Sequence, residues 1–187
     1  QTIARCCVDL LHCRNRLIPE IQTEKAVQWY CERSSLPLTS EQQSAVVMCL
    51  EAPVSVITGG PGVGKTTILR AVTAILEAKG VNIALAAPTG RAAKRLQEAT
   101  GLKSKTVHRL LEYGPGGVMG FRRNAQTPLD EDFIIIDESS MLDVQMAAAL
   151  VSSIKLGASL CFVGDQDQLP SVGPGAVLRD LLESQVI

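Results

Sequence analysis

Gly59-Gly-Pro-Gly-Val-Gly-Lys-Thr-Thr67 decides how this chain is read. Gly59 opens the stretch; after Gly60, Pro61, Gly62 and Val63 come Gly64, Lys65 and Thr66. Glycines let backbone N–H groups crowd around phosphate oxygens and let the chain take positive φ. A lysine after the last glycine reaches the terminal phosphates, and the hydroxyl that follows suits Mg²⁺. The flanks agree with this reading. Val54-Ser-Val-Ile-Thr58 is a short β-branched run, as in a buried strand. From Thr67 to Lys79 apolar residues recur at helical spacing, and Gly80 provides a stop. Strand, loop and helix in that order place a positive helix end at the anion. Residues 59–67 are thus the candidate site for ATP with Mg²⁺, with Lys65 and Thr66 on phosphate and metal.

Beyond the loop, strands and helices alternate. The sequence predicts a strand over 81–87, a helix over 90–100 and a short helix over 106–111. A glycine-rich patch at 114–120 breaks the pattern. Phe133-Ile-Ile-Ile-Asp137 is a continuous apolar run, the mark of a strand covered on both faces. A helix over 143–154, a strand over 159–163 and a helix over 175–184 complete the series. The expected fold is α/β, a parallel sheet flanked by helices. Thr39 or Ser40 is placed to cap a helix running to Cys49. Residues 1–36 are helix-like, divided at Pro19, and carry no chemical motif. They read as a connecting segment or the end of an upstream domain, with the nucleotide-binding domain over 37–187.

Composition narrows the class. The chain has 187 residues, 46% hydrophobic and 3% aromatic, with a net charge of −1. No apolar run approaches the roughly 20 residues that cross a bilayer, and no secretory signal is visible. A cytoplasmic protein without a membrane partner is expected. The first residue is Gln, so the sequence reads as a piece of a longer chain. Cysteines fall at 6, 7, 13, 31, 49 and 161, never as C-x-x-C, which argues against zinc and for reduced thiols. Charge is local. Between Arg91 and Arg123 eight basic residues face two acids, a balance of +6, so the remainder carries −7. Such a stretch is either a solvated helix face or a contact for a nucleic-acid backbone.

Two further stretches carry chemistry. Asp137-Glu138 ends the 133–136 strand. There Asp137 can hold Mg²⁺ opposite Thr66, and Glu138 can orient and deprotonate an attacking water. Gly164-Asp-Gln-Asp-Gln-Leu-Pro170 follows the last strand, and the Gln168 amide can donate to a γ-phosphate. In open parallel sheets ligands bind at the carboxyl ends of strands, where all of these fall.

At this point the sequence resembles the RecD-like group of superfamily 1 DNA helicases, the exodeoxyribonuclease V alpha-chain type. The matching blocks are Leu38-Thr-Ser-Glu-Gln42, residues 59–67, Ala87-Pro-Thr-Gly-Arg-Ala-Ala-Lys-Arg-Leu96, Thr106-Val-His-Arg-Leu-Leu111, Asp137-Glu-Ser-Ser-Met141 and residues 164–175. They occur in the family's order over residues 38–187. The resemblance implies a RecA-like P-loop fold and an ATP-driven motor acting on single-stranded DNA and duplex junctions in repair or recombination. It implies that Gln42 reads adenine, with the neighbouring Gln43 as the alternative, that Lys65, Glu138 and Gln168 serve hydrolysis, and that Gln168 links the γ-phosphate to movement. It also implies that Pro88, Thr89, Gly90 and Arg91, with Thr106, Val107 and His108, touch the DNA backbone. Residues 114–124 fall where related helicases carry a strand-separating hairpin, and a plain loop is the alternative. The sequence stops before the second motor domain and its arginines, so that domain, and exonuclease-complex subunits, are expected partners. A nucleotide-gated DNA- or protein-binding module without motor activity is the rival reading.

Overall fold

A computed structural model describes residues 2–35, 37–118, 120–168 and 173–184. Its centre is a five-stranded, wholly parallel sheet in the order β1-β6-β5-β2-β3. The strands are β1 Val54–Thr58, β2 Ile83–Ala87, β3 Ser104–Thr106, β5 Phe133–Ile136 and β6 Ser159–Gly164. The strand β4, Tyr113–Val118, stands apart and bridges Phe121 in antiparallel fashion through Tyr113. The patch expected as hairpin or plain loop thus carries one antiparallel bridge. Its residue Met119 lies outside the described residues. The edge strand β3 was not predicted; three residues, two of them polar and one charged, carry no apolar periodicity.

Side-chain alternation explains why both sheet faces are covered. Ile134 and Ile136 of β5, with Leu160 and Phe162 of β6, enter one apolar layer. Phe133, Ile135, Cys161 and Val163 enter the other. Successive strand residues point to opposite faces, so an unbroken apolar run feeds both. The first layer is closed by α1 Thr2–Leu11, α6 Val107–Leu110, α7 Val144–Ser152 and α8 Val177–Glu183. The second is closed by α2 Thr23–Arg33, α3 Ser40–Glu51, α4 Lys65–Ala78 and α5 Gly90–Thr100.

The first 36 residues, expected as a connecting segment, pack onto this domain. Cys7 and Leu10 of α1 are buried with α7 and β6, and Val27 of α2 with α3 and α4. Between them Arg16 donates to the carbonyls of Leu50, Glu51 and Ala52, at 3.3, 2.5 and 3.4 Å, and to Ser159 Oγ at 2.8 Å. A cation on the last carbonyls of α3 satisfies acceptors that the helix leaves open and opposes its negative end. Burial lowers the Arg16 pKa, and Glu51 opposes that shift. Among the described residues no helix is long and apolar enough to cross a membrane.

Candidate nucleotide and strand site

Because every strand of the sheet runs the same way, the carboxyl ends share one edge. Read across it, the phosphate loop follows β1, Asp165–Gln168 follow β6, Asp137-Glu138 follow β5, Pro88–Arg91 follow β2, and Thr106–His108 close the far side at β3. Four strand spacings of about 4.8 Å set the two ends roughly 19 Å apart.

The phosphate loop turns directly into α4, which starts at Lys65, two residues earlier than its apolar pattern indicates. Gly64 caps it with φ +91°, and a Cβ there would lie 2.2 Å from Gln42 Nε2. Only glycine meets both conditions. The Lys65 ammonium donates to the carbonyls of Gly59 and of Gly60, the latter at 2.9 Å. Thr66 is exposed in the first turn, beside unpaired helix N–H groups.

Gln42 belongs to this loop for a reason the sequence did not show. Thr39 caps α3 by accepting from Gln42 N at 3.2 Å, and Gln42 Oε1 accepts in return from Thr39 N at 3.1 Å. This is a capping box with Gln at its third position. Gln42 Nε2 then donates to Val63 O at 3.3 Å. One amide N–H and one oxygen lone pair are left over. Gln43 instead donates to Leu38 O at 3.1 Å.

At the centre of the edge, the Asp137 carboxylate accepts from Glu138 N at 2.9 Å. Burial raises the Asp137 pKa first; the Glu138 N–H lowers it, the Glu138 charge raises it, and Lys65 lowers it. Lys65 and Asp137 thus feel one another electrostatically. Glu138 takes φ 52° and ψ 40°, a left-handed conformation that costs a non-glycine residue roughly 1–2 kcal/mol. Its surroundings hold it there. Ser139 Oγ donates to Ile136 O at 2.7 Å and accepts from Val163 N at 3.2 Å, tying the ends of β5 and β6 together. Ser139 has no role in the motif itself. Its signal is a hydroxyl between two acids and an apolar helix.

The β6 end is a turn built on Asp165, which is 3% exposed. Its Oδ1 accepts from Asp167 N at 3.0 Å, and its carbonyl from Gln168 N at 3.3 Å. This leaves the Gln168 side chain exposed, with Ser140 Oγ at 3.5 Å, long for a hydrogen bond. The following Leu169, Pro170, Ser171 and Val172 of the quoted block lie outside the described residues.

Towards β3 the two blocks matched to strand contact come together. Ala87 pairs with Thr106 in the β2–β3 ladder, so Pro88–Arg91 and Thr106–His108 leave the sheet side by side. Both threonines are N-caps: Thr89 Oγ1 accepts from Ala92 N and Thr106 Oγ1 from Arg109 N, at 3.2 and 3.3 Å. Val107, expected to touch a DNA backbone, is fully buried in the apolar layer with Leu110 and Leu111 and is not open to such a contact. The basic stretch is less uniform than its sequence. Arg123 pairs with Glu112 at 2.8 Å and Asp130 at 3.2 Å, and Lys94 with Glu98 at 3.9 Å. Arg91, Arg95, Lys103, Lys105, Arg109 and Arg122 are exposed, without an acidic partner among the described residues.

A parallel sheet with this loop, acid pair and edge defines a P-loop motor fold of the superfamily 1 helicase kind. The chain belongs to the AAA domain family, whose model matches residues 42–174. Among its relatives, the ATP-dependent RecD2 DNA helicase of Deinococcus radiodurans is 41% identical over 157 residues, covering 83% of this chain and 22% of that protein. The RecBCD enzyme subunit RecD of Mycolicibacterium smegmatis is 41% identical over 166 residues, covering 76% of this chain and 30% of that protein. The chain therefore spans less than a third of the curated relatives it matches. Similar solved structures include the Candida albicans Pif1 helicase, with 27% identity and a TM-score of 0.52 over 73% of this chain and 34% of that one. A Bacteroides Pif1 helicase in complex with ADP-AlF3 and single-stranded DNA gives 25% and 0.51 over 81% and 37%.

Proposed function

We propose that this chain is the nucleotide-binding part of an ATP-driven motor that moves along single-stranded DNA and opens duplexes in repair or recombination. The observation that carries this reading is the shared edge. One end is a phosphate loop, the middle an acid pair whose Glu138 is held in a left-handed conformation, and the far end two N-capped helix starts among exposed cations. The named activities of the RecD relatives, and the ligands of the Bacteroides Pif1 structure, support it.

In this mechanism Lys65 exchanges the loop carbonyls for the β- and γ-phosphate oxygens, and Gln42 presents its remaining amide N–H and lone pair to adenine. Thr66 and Asp137 are hard oxygen donors that would hold Mg²⁺, which when bound neutralises phosphate charge. Glu138 takes a proton from water as its oxygen bonds to the γ-phosphorus and the bond to ADP breaks. Gln168, exposed beside Ser140, senses whether the γ-phosphate is present. Pro88, Thr89, Gly90 and Arg91 with Thr106 and His108 hold backbone phosphates through helix N–H groups and cations. Groups beyond these residues, an arginine of a second motor domain above all, complete hydrolysis; such a group is worth about 10³–10⁵ in rate. One relative is named an ATP-dependent DNA helicase and another a subunit of the RecBCD enzyme, so work alone and work within a larger complex both fit this reading.

The test is the ATPase rate of the full-length protein with and without a single-stranded oligonucleotide, beside a strand-separation assay. Stimulated turnover with unwinding is expected. Tight ATP binding with turnover indifferent to DNA would replace this reading with a nucleotide-gated binding module.

A further inference from the structure

Tyr113 is 61% exposed although it stands in a cluster of rings. Its centroid lies 5.3 Å from His108 at 86°, and 5.1 Å from Phe121 at 61°. Phe121 is itself buried in the layer with Val107, Leu110 and Leu111, so the cluster is rooted in the core. The backbone fixes the ring as well. Tyr113 bridges Phe121, and Gly114 N donates to Gly120 O at 2.7 Å. Gly120 has φ +86°, and a Cβ on it would come 2.5 Å from Tyr113 Cε2, so the ring lies against bare backbone. The sequence holds only six Phe, Tyr and Trp residues and two histidines. Two of the former and one of the latter gather here, at the turn that leaves β3.

The residues that follow the two ring neighbours of Tyr113 are basic. Arg109 follows His108, and Arg122 follows Phe121; both are exposed. The nearby acid, Glu112, is held by Arg123. A largely exposed ring braced by two others, with exposed arginines next in sequence to both of its ring neighbours, matches what an unpaired nucleobase requires: a flat surface for its π face and cations for the adjoining phosphates.

We propose that Tyr113 is a stacking platform for one unpaired nucleobase, with His108 and Phe121 fixing the ring and Arg109 and Arg122 taking the flanking phosphates. The proposal rests on reading the neighbouring edge as a single-strand track. Every base has a π face, so this subsite grips the strand without reading its sequence.

The test uses the full-length protein, a labelled oligothymidylate and a same-length oligomer with abasic central positions. Tyr113→Ala should weaken binding to oligothymidylate by about 5- to 100-fold, the scale of one lost base–aromatic stack. It should leave binding to the abasic oligomer unchanged. Tyr113→Trp should keep wild-type affinity, and its indole emission should be quenched by oligothymidylate but not by the abasic strand. Trp29 packs against the apolar layer on the opposite face of the sheet, and the same titration of the unsubstituted full-length protein gives the background from it and from any other indole. Wild-type affinity in Tyr113→Ala, or an unquenched indole at saturating DNA, removes the platform while leaving the track. If the wild-type protein binds neither oligomer, the track itself fails and the platform with it.

Discussion

Residues 59–66 and residues 104–123 occupy the two ends of one sheet edge, and they are specified in different ways. At the phosphate loop, the glycines, Lys65 and Thr66 come from one contiguous segment, in which Gly59, Gly62 and Gly64 take positive φ, and Gln42 joins it from α3. At the β3 end, what faces solvent is assembled from separate segments. The β2–β3 ladder sets Thr89 near Thr106, and the Tyr113–Phe121 bridge sets three rings around one another. A contiguous segment carries its geometry wherever it folds. An assembled surface has its geometry only when distant pairings form.

The largest effect that would sharpen this contrast comes from the centre of the edge. Glu138→Gln in the full-length protein should lower ATP hydrolysis by about 10²–10⁴ while leaving nucleotide affinity unchanged. Single-turnover kinetics beside calorimetry separate the two, and unchanged turnover would reject Glu138 as the proton acceptor. Next, Lys65→Ala should weaken ATP binding by about 10- to 100-fold, since hydrogen bonds to charged groups contribute about 1.5–3 kcal/mol. Calorimetry showing equal affinity would break the assignment of the loop.

Smaller effects test the geometry itself. Gly64→Ala forces a side chain into positive φ against the Gln42 amide and should cost about 1–3 kcal/mol in thermal stability, with weakened nucleotide binding. Gly90→Ala is the control at the other end of the edge. An added Cβ there meets nothing within 4 Å, and stability should move by less than about 1 kcal/mol. Equal losses at both glycines would erase the distinction. Smallest, Thr106→Ala removes the hydroxyl that accepts from Arg109 N and should cost about 1 kcal/mol in denaturant unfolding. No change there would mean that the β2–β3 pairing holds the turn without its cap.

The sequence by itself determined the parallel α/β fold, the phosphate loop and the Asp137-Glu138 pair. It did so because β-branched runs, glycine spacing and strand-end acids are local signals, each set by residues a few positions apart. It also placed the helix over 90–100, and the structure has it at Gly90–Thr100. Only the tertiary structure decided the rest. The strand order put the nucleotide loop and the Thr106 turn at opposite ends of one edge. The clamp of Arg16 on α3 and β6 drew a leader without motifs into the domain. The left-handed turn at Glu138 and the ion pairs of Arg123 likewise depend on partners distant in sequence or on packing around them. Sequence separation is the physical reason. A capping box or phosphate loop closes within a few residues, whereas a sheet neighbour, a buried cation or a ring cluster depends on chain folding that no local pattern encodes.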